Sequence, residues 1–172
     1  MNKWYNYMAI IDIFGEYHTD DERNRIEEEI IKRHSIQPYD YILSEEVGDR
    51  VYISEESKVK GILNKNYSVG PRSFMLSLKL HIPLIGIDEW DEQKFLSVNN
   101  RRVDVQTSFK IREDRMLKVI SEYWWGGYKC AVIIGDSHLR TTKSELGNPS
   151  VVNCMLNFNG VSILRSPLRE IE

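Results

Sequence analysis

Short unbroken apolar runs alternate along the chain with longer stretches in which apolar residues recur every three or four positions. Residues 7–14 are almost continuously apolar and rich in Ile, as in a central strand covered on both faces. Further runs at about 41–45, 84–87 and 130–135 predict three more strands of the same sheet. Between them lie helical patterns. Thr19-Asp20-Asp21-Glu22 forms a capping box, with Thr at the N-cap and Glu three residues on. It predicts a helix over about 20–34, with Ile26, Ile30 and Ile31 on one side and Glu28–Lys32 and Glu29–Arg33 as favourable pairs. His34 sits where a cation complements the helix dipole.

The first strand, helix and second strand imply a right-handed crossover and a parallel pair. Ser54 to Leu63 predicts a short helix, 64–71 a loop, and 89–103 a loop with some helix. Phe74, Leu76, Leu78 and Leu80 mark another helix ending at Ile82-Pro83. Over about 104–123, Phe109, Met116, Val119, Ile120 and Tyr123 share one helical stripe. Trp124-Trp125-Gly126-Gly127 stops it, the Trp pair reading as core or as a plug on the helix end. Val151–Phe158 and Val161–Leu164, joined through Asn159-Gly160, predict a terminal hairpin. The strand–helix alternation indicates one α/β domain over residues 1–172.

Composition removes several classes. Lys plus Arg number 23 against 26 Asp plus Glu, a net charge of −3, so nothing resembles the basic footprint of a nucleic-acid binder. Arg101-Arg102 is an isolated pair, read as solvated loop. No segment approaches the roughly 20 apolar residues of a membrane span, and the early apolar run is short and broken by Asp12. Cys130 and Cys154 lack metal-type spacing; with neither a signal-peptide-like run nor a span, the expected setting is the cytoplasm, with both thiols reduced.

Polar residues inside apolar patterns carry the candidate chemistry. Asp12 interrupts the first strand, at a cost unless its carboxylate is satisfied. Two strands end in the same grammar: Gly15-Glu16-Tyr17-His18 and Gly135-Asp136-Ser137-His138. The second strand ends on Glu45-Glu46 and the third on Gly86-Ile87-Asp88. Beyond the carboxyl ends of such strands is where open α/β sheets bind ligands. Arg112, three residues after Phe109 and four before Met116, lies inside the helical stripe, whereas Arg115 falls off it. An inward guanidinium needs a carboxylate partner. The plainer readings are solvated loop charges for Glu45 and Glu46 and a snorkelling Arg112.

Taken in order, these pieces resemble the erythromycin esterase/ChaN-like superfamily, which is similar to the TraB/PrgY and Tiki proteins. Gly15-Glu16-Tyr17-His18 matches the first motif, closest to the ChaN-like form. Glu45 matches the strand-end Glu, Arg112 with Met116 the Arg four residues before a Met, and Gly135-Asp136-Ser137-His138 the last motif. The resemblance covers roughly 7–46 and 83–139. The helical region between Glu46 and Pro83, which helps form the substrate cleft in larger relatives, is cut back here.

The resemblance implies a three-layer α/β/α fold with a mixed, largely parallel sheet and a site of Glu16, His18, Glu45, Arg112 and His138. It leans to a hydrolase of an ester, lactone or peptide bond in a small-molecule or peptide substrate. One route binds a divalent metal (Mn, Co or Zn) through His18, His138 and Glu45, lowering the pKa of a bound water. The other uses Glu16 or Glu45 with His18 as a metal-free general base. Arg112 would steady the carboxylates or the oxyanion in either. The competing class is a non-catalytic protein on the same fold: ligand-binding, haem-binding as ChaN resembles, or an inhibitor or immunity partner of another protein.

Overall fold

Each apolar run becomes a strand, and every strand but the last points the same way. The computed structural model describes residues 8–17, 19–48, 72–88, 105–165 and 169–170. The strands are β1 (Ile10–Glu16), β2 (Tyr41–Gly48), β3 (Leu84–Asp88), β4 (Lys129–Gly135), β5 (Val161–Arg165) and β6 (Arg169–Glu170). They form one sheet in the order β3-β2-β4-β1-β5-β6. β1 to β5 are parallel to their neighbours and β6 is antiparallel to β5. The helices are α1 (Asp20–Ile36), α2 (Arg72–Leu80) and α3 (Val105–Trp125). The fold is α/β.

Side-chain alternation divides the core between two layers. Ile11, Ile13, Leu43, Val132 and Ile134 face Met116, Val119 and Ile120 of α3. Phe14, Ile42, Ala131 and Ile133 face Ile26 and Ile30 of α1 and Phe74 and Leu76 of α2. β1 and β3 are almost wholly buried, which explains why they read as runs rather than alternations.

Asp12 tolerates its place in β1 because three groups meet it. The Tyr39 and Ser162 hydroxyls each donate to it at 2.5 Å, and Arg33 stands 3.2 Å away. Burial, first, and the bond to Asp12 push the Tyr39 hydroxyl well above its ordinary range.

Four local expectations are corrected. β1 and β2 are parallel but not paired, because β4 lies between them and the α1 crossover skips a strand. Thr19 is the N-cap of α1, but its side chain makes no capping hydrogen bond. Lys32 reaches Glu29 at 3.5 Å rather than pairing with Glu28, while Glu29 also receives Arg33 at 2.8 Å. The terminal hairpin does not form. Val151–Asn157 is a 3-10 helix capped by Ser150, whose hydroxyl accepts from Val152 N–H. Its buried Val152 and Met155 are three apart, the 3-10 period, and both join the α3 layer. β5 then pairs parallel with β1. Gly160 makes that entry with φ +77°, where a Cβ would stand 2.1 Å from the Ala9 carbonyl oxygen; only glycine fits. The expected helix 54–63, the loop 64–71 and the segment 89–103 lie outside the described residues.

Among the described residues, no helix is long and apolar enough to cross a membrane.

Candidate functional site

The chain divides around the carboxyl end of β4. β1 leads into α1, in one layer. β4 instead leads into the 3-10 turn Asp136–Leu139, whose Leu139 packs in the α3 layer. Such a divergence between neighbouring strands opens a crevice in α/β sheets. Asp136 is buried and held by the Arg165 guanidinium from the end of β5, through Nε at 2.9 Å and through Nη2. Gly15 is required beneath the turn: a Cβ there would lie 2.6 Å from Leu139 Cδ1 and 2.8 Å from Asp136 Oδ1. The glycine of the first motif therefore seats the turn of the second.

That turn delivers His138, only 2% exposed, between two carboxylates. Nδ1 is 3.2 Å from Glu113 Oε1, and Nε2 is 3.4 Å from Glu45 Oε2. The ring stacks on Phe109 at 4.6 Å. Arg140 closes the far side, donating to both oxygens of Glu113. Arg112 clasps Asp88 through Nε at 2.9 Å and Nη2 at 2.7 Å, and Nη2 stands 4.0 Å from Glu45. Both guanidiniums also lie over Phe109, at 5.8 and 5.3 Å. Burial, above all, raises the Glu45 carboxyl above the usual range; His138, Arg112 and the Gly135 N–H pull the other way.

Of the five residues expected at the site, Glu45, Arg112 and His138 share this cluster. Glu16 is buried on the other layer, 3.5 Å from Arg23 and in a pocket with Ile26, Leu76 and Ile133. His18 lies outside the described residues. The cluster adds Asp88, Glu113 and Arg140. Asp88 was legible as a strand-end carboxylate. Glu113 lies four residues after Phe109 and three before Met116, so the stripe that selects Arg112 selects it equally. Arg140 carries no pattern signal.

His138 Nε2 and Glu45 Oε2 face each other at a spacing that suits two ligands of one ion, with Glu113 supporting Nδ1 as outer carboxylates support metal-bound imidazoles. A third donor is needed. No group of three or more His, Cys, Asp or Glu arranged to hold a metal occurs among the described residues.

No family model and no curated protein matches the chain. Solved structures that resemble it include one described as "Bacterial protein toxins", with a TM-score of 0.53 and 12% identity over 95% of this chain. Another, "Crystal structure of bacterial protein toxins", has a TM-score of 0.49 and 14% identity over 95% of this chain. This chain spans 35% of the length of each. At 12% identity the likeness to the first bears on the fold alone.

Proposed function

We propose that the chain is a hydrolase of a carbonyl ester or amide bond, with Glu45 and His138 as its acid–base pair. One observation carries the reading: a buried imidazole whose Nδ1 is oriented by Glu113 while Nε2 faces a second, basic carboxylate. Orienting carboxylate, imidazole and proton acceptor in line are the parts of general acid–base catalysis. The pair shares one proton. With it on His138 Nε2, the Glu45 carboxylate takes a proton from water as the water oxygen bonds to the carbonyl carbon. The developing oxyanion falls to the Arg112 guanidinium, fixed by Asp88. When the tetrahedral intermediate collapses, the C–O or C–N bond breaks and the leaving group takes the Nε2 proton. Glu45 returns its proton to His138.

Glu16 takes no step in this proposal, since its carboxylate meets Arg23 on the opposite layer. A divalent metal is a second route, favoured by the 3.4 Å Nε2–Oε2 spacing. His138 and Glu45 would hold the ion, with His18 as the third ligand the resemblance implies, and the ion would supply an activated water. A non-catalytic module is favoured by a different feature: with both imidazole nitrogens facing carboxylates and 2% exposure, the cluster also suits a structural ion network. A cytoplasmic setting belongs to the same proposal, consistent with two free thiols.

The test is a panel of ester, lactone and peptide substrates, with and without Mn, Co or Zn, beside metal analysis of the purified protein. Turnover in the metal-free protein supports the acid–base route. Turnover only with bound metal moves the chemistry to the ion. Silence across the panel, with a tight protein partner in a pull-down, supports the interaction module.

A further inference from the structure

The two carboxylates that flank His138 are held differently. Glu113 of α3 meets Nδ1 at 3.2 Å, and Glu45 of β2 meets Nε2 at 3.4 Å. Flanked so evenly, the ring has no preference of its own for either nitrogen. The cations around it differ. Arg112 gives its donors to Asp88, at 2.9 and 2.7 Å, and stands 4.0 Å from Glu45. Arg140 instead spans Glu113, with Nη1 donating to Oε1 and Nη2 to Oε2 at 3.3 Å.

With a guanidinium N–H on each oxygen, Glu113 faces the imidazole as an acceptor, and Nδ1 is the donor that completes the set. Such a two-point hold fixes a carboxylate in plane as well as in place. Arg140 is itself pinned. Nη1 also donates to the Ser137 carbonyl at 3.1 Å, and the Arg140 carbonyl accepts from Ser150 N–H at 2.9 Å and from Asn153 Nδ2 at 2.8 Å. One short stretch of chain therefore grips Glu113 twice, through His138 and through Arg140. Phe109 lies between them, stacked on the imidazole at 4.6 Å and 5.3 Å from the Arg140 guanidinium.

We infer that Arg140 is a positioning residue for the Glu45–His138 pair: by holding Glu113 at two points it anchors the Nδ1 side of the ring and turns Nε2 toward Glu45. This rests on the hydrolase reading above and adds the residue that decides which side of the imidazole works. With Arg140 removed, Glu113 loses the guanidinium donors on both its oxygens and its fixed plane. The imidazole then loses its oriented partner, although His138, Glu45 and Glu113 are all still present. Outer groups of this kind act through the orientation of the residue they hold.

The experiment records the ¹⁵N–¹H spectrum of the full chain labelled at histidine, at neutral pH, with the His138 ring assigned through its contact with Phe109. The wild-type chain is expected to show a protonated Nδ1 whose hydrogen exchanges slowly, as a buried, hydrogen-bonded N–H does. Arg140→Gln, which keeps much of the length and one amide donor, is expected to broaden or lose that resonance in a folded protein. Arg140→Lys, with one charged donor in place of the fork, is expected to fall between the two. On a substrate that the wild type turns over, Arg140→Gln is expected to lower kcat by about 10–100-fold with KM within about twofold. A bare Nδ1 in the wild type, an unchanged resonance in Arg140→Gln, a lysine variant no better than glutamine, or a loss carried by KM alone would each overturn the inference. Because the spectrum needs no substrate, the role of Arg140 at His138 can stand while hydrolysis fails, and hydrolysis can stand while that role falls.

Discussion

At the scale of single residues, the cluster turns on which charges are paired and which are merely near. Arg112 is 16% exposed and its partner Asp88 only 3%. Arg112→Met would leave Asp88 buried without its guanidinium, at an expected cost of about 3–5 kcal/mol in chemical denaturation. Arg115 offers the contrast. Its Nε is buried with no hydrogen-bond partner among the described residues, so Arg115→Met is expected to cost well under about 1 kcal/mol. Equal effects would mean that the Asp88 pair contributes nothing.

Glu45 makes a pH prediction. Its folded pKa is raised above 4.5, chiefly by burial. Between that value and the raised one, the folded state therefore holds a proton that the unfolded chain has released. Stability from this group falls as pH rises through that window. Glu45→Gln is expected to flatten the fall and to leave unfolding at neutral pH unchanged or shifted to higher temperature. A steeper loss of stability above pH 4.5 in the variant would reverse the sign.

At the scale of elements, much was readable because burial writes itself into periodicity. The runs of β1 to β4 and the stripe of α3 are direct records of which surfaces are covered. The stripe gave Arg112 its inward register and contained Glu113 as well. The hairpin expected over 151–164 shows where periodicity misleads. Val151-Val152 and Met155-Leu156 suit an extended strand by residue type. The backbone instead follows the Ser150 cap and the side chain of Asn153, which donates to the carbonyl oxygens of Leu139 and Arg140. Those partners are remote in sequence and invisible to local pattern. Asp12 shows the same limit, since its satisfaction comes from Tyr39 and Ser162, 27 and 150 residues away. Tyr39→Phe is expected to cost about 1–3 kcal/mol by leaving a buried carboxylate oxygen short of a donor. A change below a few tenths of a kcal/mol in urea unfolding would show that water replaces the hydroxyl.

At the scale of the whole molecule, strand order decides which legible pieces meet. The sequence places Glu16 and Glu45 at the ends of two strands, but not which face each side chain takes. The order β3-β2-β4-β1-β5 and the register set Glu45 against α3 and Glu16 against α1. Seating the His138 turn on β1 depends on Gly15. Gly15→Ala is expected to cost about 1–3 kcal/mol by overpacking, and to lower turnover by displacing the imidazole, read as a fall in melting temperature beside a fall in kcat.

The same division of faces supplies the sharpest test of the hydrolytic centre. On a substrate turned over by the wild-type chain, kcat/KM should be measured for Glu45→Gln and Glu16→Gln, each shown to be folded. With Glu45 as the base beside His138, Glu45→Gln is expected to lose about 10²–10⁴-fold, the worth of a positioned acid–base group. Glu16→Gln, altered on the opposite layer, is expected to stay within a few-fold of wild type. Equal losses in the two variants, or a larger loss from Glu16→Gln, would contradict the Glu45–His138 centre.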